Sequence, residues 1–516
     1  MALITLPKLA LTLLALYLAR RVHWELTVGI RRRALIKQHG CQHPKQVPCK
    51  DPLLNSDLMY DTYKAYRRGD LLGCWARRIQ NSGNRTVLLR PLRWWVYLTD
   101  DPDNIKTMLA TNFDKWSLGE ERIAQMVSFL GYGIFCTEGA AWKHSRDTLR
   151  PCFERSQVAD VDMFERHTKR LIDRIPKDGT TIDLQPLFHL LTLDISTEFL
   201  FGQSTNGLDP DREDEGVDEF IEAFEYCENP FENENTKRWG FFGQYLPDSK
   251  FKRCAKIMQD FADKYISQQL SPKPLDPSSP SPPQTRYSFL SALHATTPNL
   301  VTIRSELLNI LLAGRDTTAS LLSNILFELP RHPEILSRLR QEIAEHIGTD
   351  QPTYEKLKEM KYLRAVMNES QRMYPIVPTN SRQALQDTIL PRGGGEDGES
   401  PVLITKGSYV AYHSWSLHRR TDIYGPDADV FNPSRWLVNE HPSAPLRPGW
   451  GYIPFSGGPR VCIGQNFALT ETGYVIVRLL QEFGTIESRD EEPWREKLTL
   501  ICTGLGGCKV GLRNEG

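Results

Sequence analysis

The chain has 516 residues, which is long enough for one large domain or for two to three ordinary ones. Its 63 lysines and arginines balance 64 aspartates and glutamates, so the net charge is −1 and no overall positive field favours nucleic acid as a partner. Hydrophobic residues make up 40% of the chain and the mean hydropathy is −0.42, which excludes a protein with many membrane-spanning segments.

The N-terminal residues 1–19, MALITLPKLALTLLALYLA, are apolar apart from two threonines, Pro7 and Lys8. A helix of that length would span about 28 Å, just enough for a bilayer core. Arginines follow at positions 20, 21 and 31–33, so the pattern predicts a single membrane anchor at 1–19 with the remainder in the cytosol. A cleaved signal peptide fits less well, because its basic residues would come first. A shallow interfacial anchor stays open, because Pro7 and Lys8 shorten the apolar run.

The ten cysteines are scattered along the chain, and no C-x-x-C pair occurs. A structural zinc site is therefore not predicted. Five disulfides would be sparse for a disulfide scaffold of this length, so we interpret the cysteines as reduced thiols in a body that faces the cytosol.

Helical periodicity dominates the rest of the chain. Apolar residues recur at three- and four-residue spacing in residues 158–174, 307–329 and 334–347, which predicts helices there. Alternating runs predict strands at 85–99 and 402–412. The stretch SPKPLDPSSPSPP at 271–283 predicts an extended connector, and no internal repeat occurs. The pattern indicates one large, mainly α domain with a small β portion over residues 20–516.

Trp142 and Arg146, in AWKHSR, are four residues apart on a predicted helix. An indole N–H and a guanidinium on one helix face suit the binding of a carboxylate. A surface arginine beside a partly buried tryptophan is the alternative interpretation. We interpret His144, between them, as solvated or structural.

The segment NILLAGRDTTASLL, residues 309–322, is an apolar helix interrupted by small and polar residues. Gly314 costs a helix up to about 1 kcal/mol relative to alanine, which favours something lying against the backbone there. Gly314 and Thr317 share a face and predict a notch with a hydroxyl beside it, suited to holding dioxygen and passing protons. Asp316 could relay those protons from solvent. Alone, such a motif more often marks a packed or kinked helix.

Glu369 and Arg372, in NESQR, are spaced for an ordinary helical ion pair. Arg435, in NPSRW, could complete a buried network with both residues. We predict that this network is structural and not catalytic.

The loop FSGGPRVCIG, residues 455–464, places Cys462 among glycines directly before a predicted helix. The pattern F-x-x-G-x-R-x-C-x-G would occur by chance in such a chain on the order of once in ten thousand. A helix N-terminus and Arg460 both favour a thiolate, and glycines let the backbone approach a flat cofactor closely. A thiolate so placed is a good axial ligand for haem iron. A buried cysteine behind a tight turn is the alternative, but it explains neither Arg460 nor the glycines.

These motifs, in this order, resemble the cytochrome P450 family over nearly the whole chain. Further segments resemble the fungal branch that hydroxylates alkanes and fatty acids: HGCQHPKQVPCKDPLL, LGYGIFCTEGAAWKHSRDTLRP, LPRGGGEDGESP, LHRRTDIYGPDADVFNPSRW and GQNFALTETGYVIVRLLQEF. The resemblance implies the cytochrome P450 fold, haem as cofactor and Cys462 as its proximal ligand. It also implies a proton-delivering pair, Asp316 and Thr317, and haem-propionate binding by Trp142, Arg146, Arg382 and Arg460.

The resemblance further implies an enzyme, a haem-thiolate monooxygenase that inserts one oxygen atom of O2 into a C–H bond. The substrate is expected to be apolar and aliphatic, a fatty acid or an alkane, oxidised at a terminal or near-terminal carbon. The chain has no room for a flavin domain, so a separate membrane-bound NADPH–cytochrome P450 reductase is the expected electron donor. We expect the enzyme in the endoplasmic reticulum membrane, with its catalytic domain in the cytosol.

Two other functions remain open. One is the tailoring of a fungal specialised metabolite that carries an alkyl or polyketide chain. The other is a haem protein that isomerises, dehydrates or senses its ligand without consuming O2, which the Asp316–Thr317 pair disfavours. Pro330 falls where the family keeps a helix-compatible residue, so we expect the long helix to end or bend there.

Overall fold

The computed structural model describes residues 6–93, 95–154, 160–212, 216–229, 234–239, 243, 246–271, 289–442 and 445–514. Beyond its first residue, the predicted connector at 271–283 lies outside these ranges. The chain forms two compact units. The first comprises the described residues of Met1–Asp61, Trp75–Ser117 and Ser381–His413, and the second those of Thr62–Cys74, Leu118–Asn380 and Ser414–Gly516.

Helices make up most of the described structure. In chain order they are α1 (Leu6–Trp24), α2 (Ile30–His39), α3 (Ser56–Arg68), α4 (Leu71–Ser82), α5 (Pro102–Lys106), α6 (Glu120–Leu130), α7 (Gly139–Leu149), α8 (Val161–Arg174), α9 (Leu184–Phe201), α10 (Gly216–Glu228), α11 (Glu234–Trp239), α12 (Ser249–Leu270), α13 (Phe289–Thr296), α14 (Leu300–Glu328), α15 (Pro333–His346), α16 (Tyr354–Glu359), α17 (Lys361–Met373), α18 (Ser414–Leu417), α19 (Thr421–Tyr424) and α20 (Gln465–Glu482).

The strands are short and form small sheets. They are β1 (Lys45–Gln46), β2 (Thr86–Leu89), β3 (Val96–Thr99), β4 (Trp116–Ser117), β5 (Asp178–Asp183), β6 (Thr379–Ala384), β7 (Thr388–Gly394), β8 (Ser400–Ile404), β9 (Tyr409–His413), β10 (Thr485–Ser488), β11 (Glu496–Leu498), β12 (Cys502–Gly504) and β13 (Lys509–Arg513). The predicted mainly α fold with a small β portion is confirmed.

The first unit is built around a six-stranded sheet with the order β1-β2-β3-β9-β6-β4. Strands β2 and β3 are antiparallel, with Thr86 opposite Thr99, and β3 runs parallel to β9. Val87 on β2 and Leu98 on β3 are buried and belong to one hydrophobic cluster. The strand predicted at 85–99 is therefore two strands, because a 3₁₀ turn at Pro91–Arg93 divides the run.

The second unit is organised around the 29-residue helix α14. The side chain of Asn299 caps its N-terminus by accepting hydrogen bonds from the amides of Val301 and Thr302, which is why the helix starts before the predicted residue 307. The helix ends at Glu328, and Pro330 lies in the 3₁₀ turn that follows. The expectation that the helix ends at this proline is confirmed, since proline supplies no amide for the helical ladder.

Helices α9 and α20 both pack against α14, and α10 packs along α12. The packing of α10 on α12 includes the stacked rings of Phe220 and Phe261, whose centroids are 3.9 Å apart. Two further predicted helices are confirmed: α8 covers the described part of 158–174, and α15 corresponds to 334–347. Helix α14, which carries Asp316 and Thr317, therefore packs against both α9 and α20.

The N-terminal segment is helical from Leu6 to Trp24 and exposes most of its leucines. In the described part of the chain, no helix is both long enough and apolar enough to cross a membrane. All ten cysteines lie in described segments and are free thiols.

Candidate active site

Cys462 lies in a tight loop just before α20. Its amide donates a hydrogen bond to the carbonyl oxygen of Phe455, 3.0 Å away, which closes the loop. Gly458 opens a 3₁₀ turn at a φ of +67°, a conformation that favours glycine. The helix itself begins at Gln465, three residues after Cys462, and Gly464 is its N-cap.

Cys462 is exposed, although protein atoms lie close around its sulfur. Burial raises the pKa of the Cys462 thiol, while the amide of Gly464 and the charge of Arg146 lower it. An open sulfur with an amide and a cation directed at it is the arrangement that a thiolate ligand of a metal requires.

Trp142 forms a platform for two cations beside this loop. Its side chain is buried, with 7% exposure. The guanidinium carbon of Arg460 lies 4.5 Å from the centre of the Trp142 ring, and that of Arg146 lies 5.9 Å from it. Arg460 also donates a 2.9 Å hydrogen bond to the carbonyl oxygen of Thr137. Two like charges at one indole repel each other, so an anion such as a propionate would stabilise the group.

Three of the predicted propionate-binding residues therefore lie together in the second unit. The fourth, Arg382, lies on β6 in the first unit. Its Nη1 donates a 2.7 Å hydrogen bond to the carbonyl oxygen of Ser381, and its guanidinium lies 5.9 Å from the ring of Tyr412. Propionate binding by Arg382 stays a prediction.

Helix α14 is buried along almost its entire length. Between Ser305 and Leu329, every residue is buried except Ala313, Gly314 and Thr317, which are partly buried. The hydroxyl of Thr317 donates a 2.6 Å hydrogen bond to the carbonyl oxygen of Ala313. These three residues form one open patch, which agrees with the predicted face.

Gly314 also has a second role, which the sequence did not indicate. A Cβ atom at Gly314 would lie 2.7 Å from Oγ of Ser196 on α9. The glycine therefore lets α9 approach α14 closely, and a hydroxyl of that helix borders the predicted notch.

Asp316 is buried, with 4% exposure, and does not itself reach solvent. One oxygen of its carboxylate, Oδ1, lies 3.0 Å from Nδ1 of His189 on α9 and 3.2 Å from Nη1 of Arg315. Burial acts to raise the pKa of Asp316, but Arg315 and His189 outweigh it and hold the pKa below its usual range. A relay through Asp316 thus needs a neighbour that contacts solvent, and sequence reasoning missed His189.

The predicted Glu369–Arg372–Arg435 network is confirmed, and all three side chains are fully buried. Glu369 accepts two hydrogen bonds from Arg372, at 2.8 Å each, and one from Nε of Arg435 at 2.9 Å. It also accepts hydrogen bonds from the amide of Asn432 and the indole of Trp436. Glu369 therefore fixes the 3₁₀ turn Pro433–Trp436 against α17.

The residues present fit a haem group. An exposed sulfur precedes α20, two guanidinium groups flank Trp142 nearby, and α20 packs on α14, whose open patch is free of long side chains. The set offers one soft ligand and two charge partners for carboxylates.

Comparison with known proteins gives the same assignment. The sequence model of the family described as "Cytochrome P450" matches residues 93–505. The chain is 40% identical to "Cytochrome P450 monooxygenase himC" of Aspergillus japonicus, over 92% of this chain and 84% of that protein. It is 37% identical to "Cytochrome P450 monooxygenase FPY7" of Fusarium mangiferae, over 98% and 96%. It is 44% identical to "Cytochrome P450 52A1" of Candida tropicalis, over 83% and 80%.

The matched region contains the cysteine loop, the Trp142 platform and α14 with its open patch. The fold, the geometry of these residues and the family match thus lead to one assignment. The chain belongs to the cytochrome P450 family of monooxygenases, oxidoreductases that use haem held by a cysteine thiolate.

Proposed function

We propose that this protein hydroxylates a fatty acid or an alkane at a terminal or near-terminal carbon. The observation that carries the proposal is the similarity to proteins named Cytochrome P450 52, at 41–44% identity, together with the segments that resemble the alkane- and fatty-acid-hydroxylating branch. The small residues of the open patch on α14 support it, since they offer room and no charge to an aliphatic chain.

Cys462 would hold the haem iron, and Trp142, Arg146, Arg382 and Arg460 would hold its propionates. The bound haem supplies O2 activation and oxygen insertion. The amide of Gly464 and the charge of Arg146 favour the thiolate form of Cys462. Thr317 belongs to the open patch and its hydroxyl donates a hydrogen bond to the carbonyl oxygen of Ala313. Asp316, beside it on α14, would exchange the protons that this hydroxyl passes on.

Residues 20–516 would form one haem domain, and residues 1–19 would anchor it to the endoplasmic reticulum membrane with the domain in the cytosol. The helix at Leu6–Trp24 exposes an apolar surface, and Arg20 and Arg21 follow the apolar run. Proteins of this family receive electrons from redox partners. For this chain we propose a separate NADPH–cytochrome P450 reductase.

A second candidate is the tailoring of a specialised metabolite that carries an alkyl or polyketide chain. It is supported by the similarity to three monooxygenases from Aspergillus and Fusarium, which match 92–98% of this chain. The reacting centre would be the same in both cases, because the same residues hold the haem.

The first test is the absorption spectrum of the reduced, carbon-monoxide-bound protein. We expect a strongly red-shifted Soret band in the wild type that Cys462→Ser abolishes, because the band reports thiolate ligation. Cys41→Ser is the matched control, since Cys41 is a half-buried thiol in the first unit, and it should keep the band. A red-shifted band that survives in Cys462→Ser would contradict the assignment of the ligand.

The second test is turnover with a purified NADPH–cytochrome P450 reductase. A fatty acid, an n-alkane and a polyketide with an alkyl chain are supplied in parallel. NADPH-dependent hydroxylation at the chain end of the first two supports the proposal. Hydroxylation of the polyketide alone supports the second candidate, and conversion of a ligand without O2 consumption contradicts both.

A further inference from the structure

A second carboxyl group is buried directly beside Asp316. Glu228 is the last residue of α10, has 5% exposure, and is in hydrogen-bond contact with Asp316. Two carboxylates in contact away from water cannot both be ionised at low cost, so one of them holds a proton.

The hydrogen-bond partners of the two Asp316 oxygens indicate where this proton lies. Oδ1 of Asp316 already has His189 and Arg315 as partners, whereas Oδ2 is buried and finds no donor among the described residues. A proton on Glu228, which is in contact with Asp316, would give this carboxylate a further donor. A buried acceptor without a donor is costly, so the protonated form of Glu228 satisfies both groups.

The charges around the pair favour the same distribution. Burial and the charge of Asp316 hold the pKa of Glu228 well above its ordinary value, opposed by Arg315. Arg315 is itself buried, and it also lies 3.5 Å from Oε1 of the exposed Glu225. Arg315 and His189 stabilise the ionised form of Asp316, so the single proton rests on Glu228.

We propose that Glu228 and Asp316 share one proton, and that His189 links this acid pair to solvent, so that the three residues supply protons to Thr317. His189 is the member of the group that reaches the surface, since its side chain is 21% exposed against 5% for Asp316. This inference rests on the role proposed above for Asp316 and Thr317, and it adds two positioning residues from other helices.

Each step of the proposed transfer moves one proton from one residue to the next. Glu228 passes its proton to Asp316, leaving Glu228 ionised and Asp316 neutral. Asp316 then gives that proton to the hydroxyl of Thr317, which follows it on α14, and Thr317 releases its own proton towards the open patch. A proton from solvent enters at His189, crosses the 3.0 Å contact to Asp316 and restores the acid pair.

The direct test is infrared spectroscopy of the purified holoenzyme at neutral pH. A protonated carboxyl has a carbonyl stretching band that shifts in D2O, and an ionised one does not. We expect the difference between wild type and Glu228→Gln to contain one such band. Loss of an ionised carboxylate signal instead would show that Glu228 carries no proton and would overturn the proposal.

The matched control is Glu225→Gln. Like Glu228→Gln, it removes a carboxylate from α10, and this carboxylate also pairs with Arg315. Glu225, however, is exposed and does not contact Asp316 in the described structure. We expect this variant to keep the protonated carboxyl band. Glu228→Asp serves if Glu228→Gln fails to bind haem, since it retains a titratable group and should retain the band.

The functional readout is the share of NADPH that ends as product. Glu228→Gln keeps a hydrogen-bond donor for Asp316 but removes the stored proton, so each transfer to Thr317 must wait for a proton from His189. We therefore expect the share of NADPH that ends as product to fall, with hydrogen peroxide released instead. His189→Gln should show the same loss, because it removes the link between Asp316 and solvent, while Glu225→Gln stays coupled. Full coupling in Glu228→Gln would overturn the supply role. The infrared band does not depend on the substrate, so it can fail or succeed separately from the proposed hydroxylation.

Discussion

Substitution of Glu369 by glutamine should destabilise the second unit strongly. Glu369 accepts five hydrogen bonds, three at Oε1 and two at Oε2. Whichever end of the glutamine carries the NH2 group, at least two of these buried donors lose their acceptor. The two guanidinium groups of Arg372 and Arg435 also lose their shared counter-ion.

The expected cost follows from these contacts. Each buried donor without an acceptor costs about 1–3 kcal/mol, which gives at least about 2–6 kcal/mol. Breaking a buried ion pair by removing one partner typically costs about 3–5 kcal/mol, which agrees with this range. We therefore expect the free energy of unfolding to fall by about 3–5 kcal/mol.

The assay is urea unfolding of the purified holoenzyme, followed by far-ultraviolet circular dichroism. Glu440→Gln is the control, because Glu440 pairs with Arg338 at the surface, and such exposed pairs contribute under about 1 kcal/mol. If Glu369→Gln lowers stability no more than Glu440→Gln does, the network is not the structural support described above.

Three further substitutions test the packing of α9. Gly314→Ala should destabilise the wild type more than a Ser196→Ala background, because the new methyl group lies 2.7 Å from the serine hydroxyl, and equal effects would contradict this. Glu198→Gln is the second substitution. Burial acts to raise the pKa of Glu198, but His167 and Arg166 outweigh it and lower the pKa to about 2. The ionised carboxylate therefore stabilises the fold by up to about 3 kcal/mol above pH about 4.5, the ordinary pKa of the group. The difference in unfolding free energy between wild type and Glu198→Gln should therefore shrink as the pH falls from about 4.5 towards 2, and a constant difference would contradict it. Asp194→Ala is the third substitution. It removes the acceptor of three hydrogen bonds, 2.6–3.0 Å long, from Thr205, Gly207 and Leu208, so the thermal unfolding midpoint should fall well below that of the wild type. An unchanged midpoint would show that water replaces the carboxylate.

The residues that the sequence identified are those that carry a local pattern. The glycines and the arginine around Cys462 are adjacent in sequence, so the turn before α20 could be predicted from them alone. Trp142 and Arg146 are one helical turn apart, and the structure confirms that they share a face. The start of α14 was placed too late, because polar residues after Asn299 hide the apolar period of its first turns.

The members of the acid pair could not be found in this way. His189 lies 127 residues before Asp316 in the chain, and Glu228 lies on a third helix, so only the tertiary fold brings them together. One weak signal exists for Glu228. It falls on the face of α10 that carries the buried Phe220 and Phe224, where an acid requires a partner.

The seclusion of α14 also bears on how substrate preference can diverge in this family. Nearly every position between Ser305 and Leu329 already contacts a neighbour, so a change there disturbs packing before it changes recognition. Only Ala313, Gly314 and Thr317 in this stretch are partly buried rather than buried, and two of these have little or no side chain. With α14 bordering the substrate as proposed above, we expect a change of substrate preference to come from segments that pack against α14 rather than from the helix itself.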